Sequence, residues 1–213
     1  MKQRTNIVLY GYWNDVRGDR LAPRRFDIEP SQIASILAET FILECAADHQ
    51  SYEFRLAGTR ICEQFGWEFR GLSFHQLWDA ADVEELQRAM TDALPRGGAL
   101  VLDFVVAAES GGRSANFEAI LLPLMHGGTT VSRVLGSIAV AQSEAWLGAV
   151  KLGKAKLIGS QVIWPEGRPH AIADKMREPT PLLSDATGAK ILRFERRSFR
   201  VVDGGISRHE DGK

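Results

Sequence analysis

Apolar and polar positions change their period several times along this chain, and each change marks an element. Leu9, Tyr12, Trp13 and Val16 fall at i, i+3, i+4 and i+7, one face of a helix. The segment GDRLAPRR then interrupts the pattern with Gly18 and Pro23, a breaker signal. Pro30 and Ser31 open a second predicted helix whose apolar stripe is Ile33, Ile36, Leu37 and Phe41. The run FILECAA is apolar and too short for a lone helix. It is followed by the polar turn DHQS and by YEFRLA, in which Tyr52, Phe54 and Leu56 alternate with Glu53 and Arg55. A period of two is that of a strand with one wet face, so the two runs read as a hairpin.

Gly58 and Thr59 close that strand and start a short helix, TRICEQF, which Gly66 ends. WEFRGLS forms a loop around Gly71, and FHQLW is one more helical turn. Asp82 with Glu85 three residues on resembles a capping box. The helix behind it carries Val83, Leu86, Met90 and Leu94 on one stripe, and Pro95 with Gly97 and Gly98 stops it. Three further strands are predicted over 99–107, 114–124 and 131–142, joined by the turns SGGR and HGGTT. This order predicts an α+β fold: a five-stranded antiparallel sheet, with helices over one face enclosing a cavity. Residues 1–40 read as flanking helices, 41–145 as the sheet domain and 146–213 as a tail. Beyond about residue 150 the periodicity fades, and Pro165, Pro169, Pro179 and Pro181 crowd into the tail. The stretch 150–185 reads as a loose linker, and AKILRFERRSFRVV as one or two closing strands.

Composition bounds the function. The 213 residues are 45% hydrophobic and 25% charged, the balance of a globular protein. Cys45 and Cys62 cannot build a disulfide framework, so a reducing, cytoplasmic home is expected. No signal peptide is expected, and no run of 18 apolar residues offers a membrane span. Residues 1–150 carry 13 Lys and Arg against 19 Asp and Glu, whereas residues 151–213 carry 13 against 8. That tail leans on the acidic core or an acidic partner, or it binds nucleic acid. The second alternative is weakened by Glu195, Asp203, Glu210 and Asp211, which dilute the basic charge.

The stretch GTRICEQFGWEFRGLSFHQLWDAAD, Gly58 to Asp82, resembles the phrase that PAS domains carry between their second strand and long helix. Phe65-Gly66, Glu68, Gly71, Leu77-Trp78 and Asp82 stand in order. The chain is more closely similar to a subgroup of stand-alone bacterial PAS proteins. The shared features are Pro23, Arg25, Asp27, Ile28, Pro30 and Ile33, then RLAGT at Arg55–Thr59, then RSFRVVDGG at 197–205. The resemblance implies a PAS-like fold and a sensory or regulatory role through signalling partners, with no enzyme activity.

Light-sensing PAS proteins place an adduct-forming cysteine where Phe74 stands, and haem-binding ones commonly supply a histidine from the long helix, which has none here. No cofactor is therefore expected, and purified protein should be colourless. No metal site is expected either, because His49, His126, His170 and His209 lack partners at i+3 or i+4. His75 is expected to be a helix-terminal or surface histidine rather than a metal ligand, and Cys62 a buried, inert thiol. The string FEAILLPL resembles the acidic motif of cyclic-dinucleotide phosphodiesterases, but a strand of the meander explains it better. Phe54, Leu56, Ile61, Phe65, Leu72, Trp78, Met90, Phe104 and Leu121 are the candidate cavity wall. They either line a small-ligand site or fill the space as dry core. The stripe Leu9, Tyr12, Trp13 and Val16 either folds back on its own sheet or forms a homodimer or partner-docking contact.

Overall fold

In a computed structural model, which describes residues 1–46, 51–126 and 130–167, the alternating segments pair into one antiparallel sheet. Its strands are β1 (Thr40–Cys45), β2 (Tyr52–Ala57), β3 (Ala99–Ala108), β4 (Ser114–Met125), β5 (Val131–Val140) and β6 (Leu152–Ile163). They lie in the order β2-β1-β5-β4-β3-β6. The sheet thus has six strands where five were expected. The sixth comes from the stretch read as a loose linker and pairs along β3 from Ala99↔Ile163 to Ala108↔Leu152. Its period was hidden because Lys154, Lys156, Ile158 and Ser160 are exposed and Gly153 and Gly159 dilute the pattern. The aromatic-basic segment near the C-terminus lies outside the described residues.

Three α-helices accompany the sheet: α1 (Arg4–Arg17), α2 (Thr59–Phe65) and α3 (Val83–Ala93). The expected second helix over 31–41 is instead a pair of 3-10 turns, Pro30–Ile33 and Leu37–Glu39. Phe41 belongs to β1, where it pairs with Ala57 and Gly136. Strand pairing has overridden a weak helical propensity. Asp82 does not cap α3 through its side chain. Its carboxylate instead accepts the Leu157 N–H at 2.8 Å, tying the helix entry to β6.

Helices were expected on one face, but both faces are covered. Side chains alternate along each strand. On β3, Leu100, Leu102, Phe104 and Val106 join the inner core under α2 and α3, while Ala99 and Val101 join the outer core. On β4, Phe117 and Leu121 point inward and Ile120, Leu122 and Leu124 outward. The outer core is closed by α1, with Leu9 and Trp13 fully buried. Such side chains contribute about 1.5–3 kcal/mol each on burial. The Trp13 indole N–H also donates to the Pro123 carbonyl at 2.9 Å.

Polar bonds seat the start of α1. The Glu118 carboxylate, 2% exposed, accepts the backbone N–H groups of Lys2 at 2.7 Å and Gln3 at 2.9 Å, and the Asn6 amide at 2.9 Å. Asn6 Oδ1 accepts the Ser137 hydroxyl at 2.6 Å. A negative charge at a helix N-terminus is favourable. The acidic residue of FEAILLPL is therefore a structural group on β4, as the strand explanation requires.

Candidate functional site

The inner face of the sheet gathers an unusual density of aromatic rings. Phe54, Phe69, Phe65, Phe117, Phe104, Trp78 and Phe74 form a closed circuit of neighbouring rings. Successive centroids lie 5.0, 5.4, 5.2, 5.5, 5.0, 5.8 and 5.7 Å apart, ending back at Phe54. These spacings are those of favourable offset and edge contacts. Phe41 joins the circuit through Phe54 at 5.5 Å and Phe74 at 6.2 Å. Each element contributes by its own period: β2 gives Phe54, α2 gives Phe65, β3 and β4 give the cross-strand pair Phe104↔Phe117, and the 3-10 turn Phe74–Leu77 gives Phe74.

Seven of the nine residues expected to form the cavity wall meet in this one core: Phe54, Ile61, Phe65, Trp78, Met90, Phe104 and Leu121 are buried there. Leu72 is half-buried at its edge. Leu56 is not part of it and stands 51% exposed. The cause is a bulge. Ile42 pairs with Leu56 and Leu43 with Phe54, so Arg55 is the extra residue. One inserted residue inverts the facing of everything beyond it. Leu56 therefore lines an outer, open cleft of about 530 Å³ with Pro30, Ala34, Leu37 and Thr59. Phe41, Phe69, Phe74 and Phe117 belong to the inner core and were absent from the expected wall.

The titratable groups bordering this core are held toward their neutral forms. Burial raises the Cys62 thiol, with smaller opposing and reinforcing contributions from neighbouring backbone and glutamates. Burial lowers the His75 imidazolium pKa, and its Nε2 is buried with no hydrogen-bond partner among the described residues. Tyr52 is pushed far above its ordinary value by burial and by the neighbouring Cys45. Among the described residues no group of three His, Cys, Asp or Glu could hold a metal ion. One polar atom stands out inside the core itself: Trp78, 2% exposed, has an indole Nε1 with no acceptor among the described residues.

The α1 stripe divides. Leu9 and Trp13 face the sheet and are fully buried, so they present no surface to another molecule. This is the fold-back alternative, driven by the apolar area of β4 and β5 beneath. Tyr12 and Val16 are half-buried at the rim of that core. The Tyr12 hydroxyl accepts the Glu29 N–H at 2.7 Å, fastening the turn that follows.

The family comparison agrees with this architecture. The family whose sequence model matches is described as a PAS domain, over residues 1–139. No curated protein matches. Among solved structures, the chain is similar to a sensory box histidine kinase/response regulator from Burkholderia thailandensis, at 16% identity. That match covers 53% of this chain and 85% of the other, with a TM-score of 0.35.

Proposed function

The chain belongs to the PAS domain family, and from that premise we propose that it is a non-enzymatic regulatory protein acting in signal transduction by changing its contacts with signalling partners. A sensory or signalling role is what the family supports. The unit proposed to act is a cytoplasmic homodimer. Among the described residues no helix is long and apolar enough to cross a membrane. The observation that carries the reading is the inner face. Where an enzyme of this size would set reacting groups, this chain sets a closed circuit of ring carbons. Beside it, burial holds Cys62 toward the thiol rather than the attacking thiolate, and His75 toward the uncharged imidazole. The test uses the full-length chain as bait in native lysate with cross-linking mass spectrometry. Enrichment of signal-transduction proteins is expected. Turnover in a metabolite screen would overturn the reading in favour of an enzyme. Salt-dependent retention on DNA would favour a nucleic-acid-binding regulator using the basic tail.

A small ligand on the inner face is the second part of the proposal, and Trp78 favours it. A buried indole N–H without an acceptor is costly, and a ligand oxygen would satisfy it. Native mass spectrometry of gently purified protein should reveal a bound small molecule that is lost in Trp78→Phe. Identical masses for folded and denatured protein would exclude it.

A further inference from the structure

We infer that the segment Arg24–Phe26 is a partner-docking knob. Phe26 enters an apolar pocket on another protein, and carboxylates rimming that pocket meet the guanidiniums of Arg24 and Arg25. This rests on the signalling-partner reading above and gives those contacts a place on the chain.

The run from Pro23 to Ile33 divides by task. Pro23, Ile28 and Ile33 are buried, and the Pro23 carbonyl accepts the Met125 N–H at 2.9 Å. The Asp27 carboxylate accepts the Arg24 N–H at 3.0 Å and pairs with the Arg20 guanidinium at 2.5 Å. The Glu29 N–H donates to the Tyr12 hydroxyl at 2.7 Å. These bonds pin the 3-10 turn Arg25–Asp27 on both sides. What they hold up is Phe26, 79% exposed and the most exposed large apolar side chain among the described residues. Its ring lies 5.7 Å from that of His126, which is exposed as well. A lone exposed apolar side chain is ordinary. One carried on a pinned turn is different, because little further ordering opposes its burial by a partner.

The charges choose the occupant. Arg24 is exposed and Arg25 half-buried, and neither guanidinium has an ion pair among the described residues. Nucleic acid and an anionic bilayer both reward an extended basic field. Residues 1–150 instead carry 13 Lys and Arg against 19 Asp and Glu, and exposed Glu29 follows the turn closely. A protein pocket can set carboxylates against two guanidiniums and keep them clear of Glu29, the short-range matching that protein interfaces use. Interface cores are likewise enriched in aromatic residues and Arg.

The experiment pans a phage-displayed library of random peptides on the immobilised full-length chain and measures the selected peptides by fluorescence anisotropy. Selected sequences should combine an apolar cluster with Asp or Glu. Phe26→Ala should weaken their binding about thirtyfold, the loss of an interface anchor. Arg25→Glu should weaken it about tenfold, and peptides with lysine in place of their acids should recover binding to Arg25→Glu but not to Phe26→Ala. Circular dichroism melting is the folding control, and Arg25→Gln, which keeps most of the side chain's length, guards against a loss through unfolding. A library without enrichment, or peptides that bind the Phe26→Ala chain undiminished, overturns this surface. So does Phe26-dependent retention of oligothymidylate or of phosphatidylserine vesicles in place of peptides. Native lysate separates the two claims. Signal-transduction proteins captured equally by the unmodified and Phe26→Ala chains overturn this surface and leave the signalling reading standing, whereas none captured by either chain overturns both.

Discussion

Gly136 sits opposite Phe41 on β1 and Leu121 on β4. A Cβ added there would fall 2.2 Å from Phe41 Cζ and 2.7 Å from the Ile120 carbonyl oxygen. The ring covers the bare backbone, so no larger residue fits without displacing the inner core. Gly136→Ala should lower unfolding free energy by about 1–3 kcal/mol in urea titration. The Arg55 bulge makes a paired claim one strand away. Phe54→Ala should cost about 3–5 kcal/mol, whereas Leu56→Ala, on the other face, should stay within about 0.5 kcal/mol. Equal costs would disprove the bulge. Leu56 shows where legibility ended at this scale. Strict alternation from Tyr52 and Phe54 puts it inside, and a bulge leaves no mark in the pattern of hydrophobicity. The other members of the wall were legible because strand and helix periods persist through them. Phe41 was lost to an overextended helix, and Phe69 to a loop whose backbone follows no period. Phe117 lay in a correctly read strand. Its cross-strand pairing with Phe104 was the available signal.

Among elements, α1 and β6 lie at the margins of what pattern alone could place. The sheet meander and α3 were legible because each is long and periodic. The destination of α1 was not legible, since an apolar stripe states that burial is required and not against what. Glu118 now supplies a chemical test of that docking. Its burial alone would raise its pKa. The Gln3 N–H, the Asn6 amide, the Lys2 N–H and the terminal ammonium outweigh that and bring it below the ordinary 4.5. A depressed carboxylate contributes stability above its unfolded-state value and loses it as pH falls through the folded one. Stability measured from neutral pH downward should therefore drop below about pH 4.5, and Glu118→Gln should be less stable at pH 7 while showing a flatter acid limb. For β6, hydrogen exchange should find the amides that pair with β3 protected. Limited proteolysis should spare 152–163. Early cleavage within that span would mean that the edge of β3 is bare.

The described molecule is one sheet with a core on each side, so the two cores stand or fall together. Leu9→Asp combined with Trp13→Asp buries two charges without partners. The expected outcome is loss of the cooperative melting transition, a destabilisation above about 4 kcal/mol. A folded double variant with unchanged melting would show that α1 is dispensable to the sheet. Each side of the sheet also holds its own tryptophan. Trp13 lies on the outer side with its indole N–H bonded to a carbonyl, and Trp78 on the inner side lacks an acceptor among the described residues. Indole fluorescence responds to such surroundings, so the chain carries two intrinsic optical reporters, one per side. Replacing Trp67, Trp146 and Trp164 with phenylalanine, and then either Trp13 or Trp78, would leave a single emitter. A loosening of α1 would then shift one spectrum, and a rearrangement among the inner rings would shift the other.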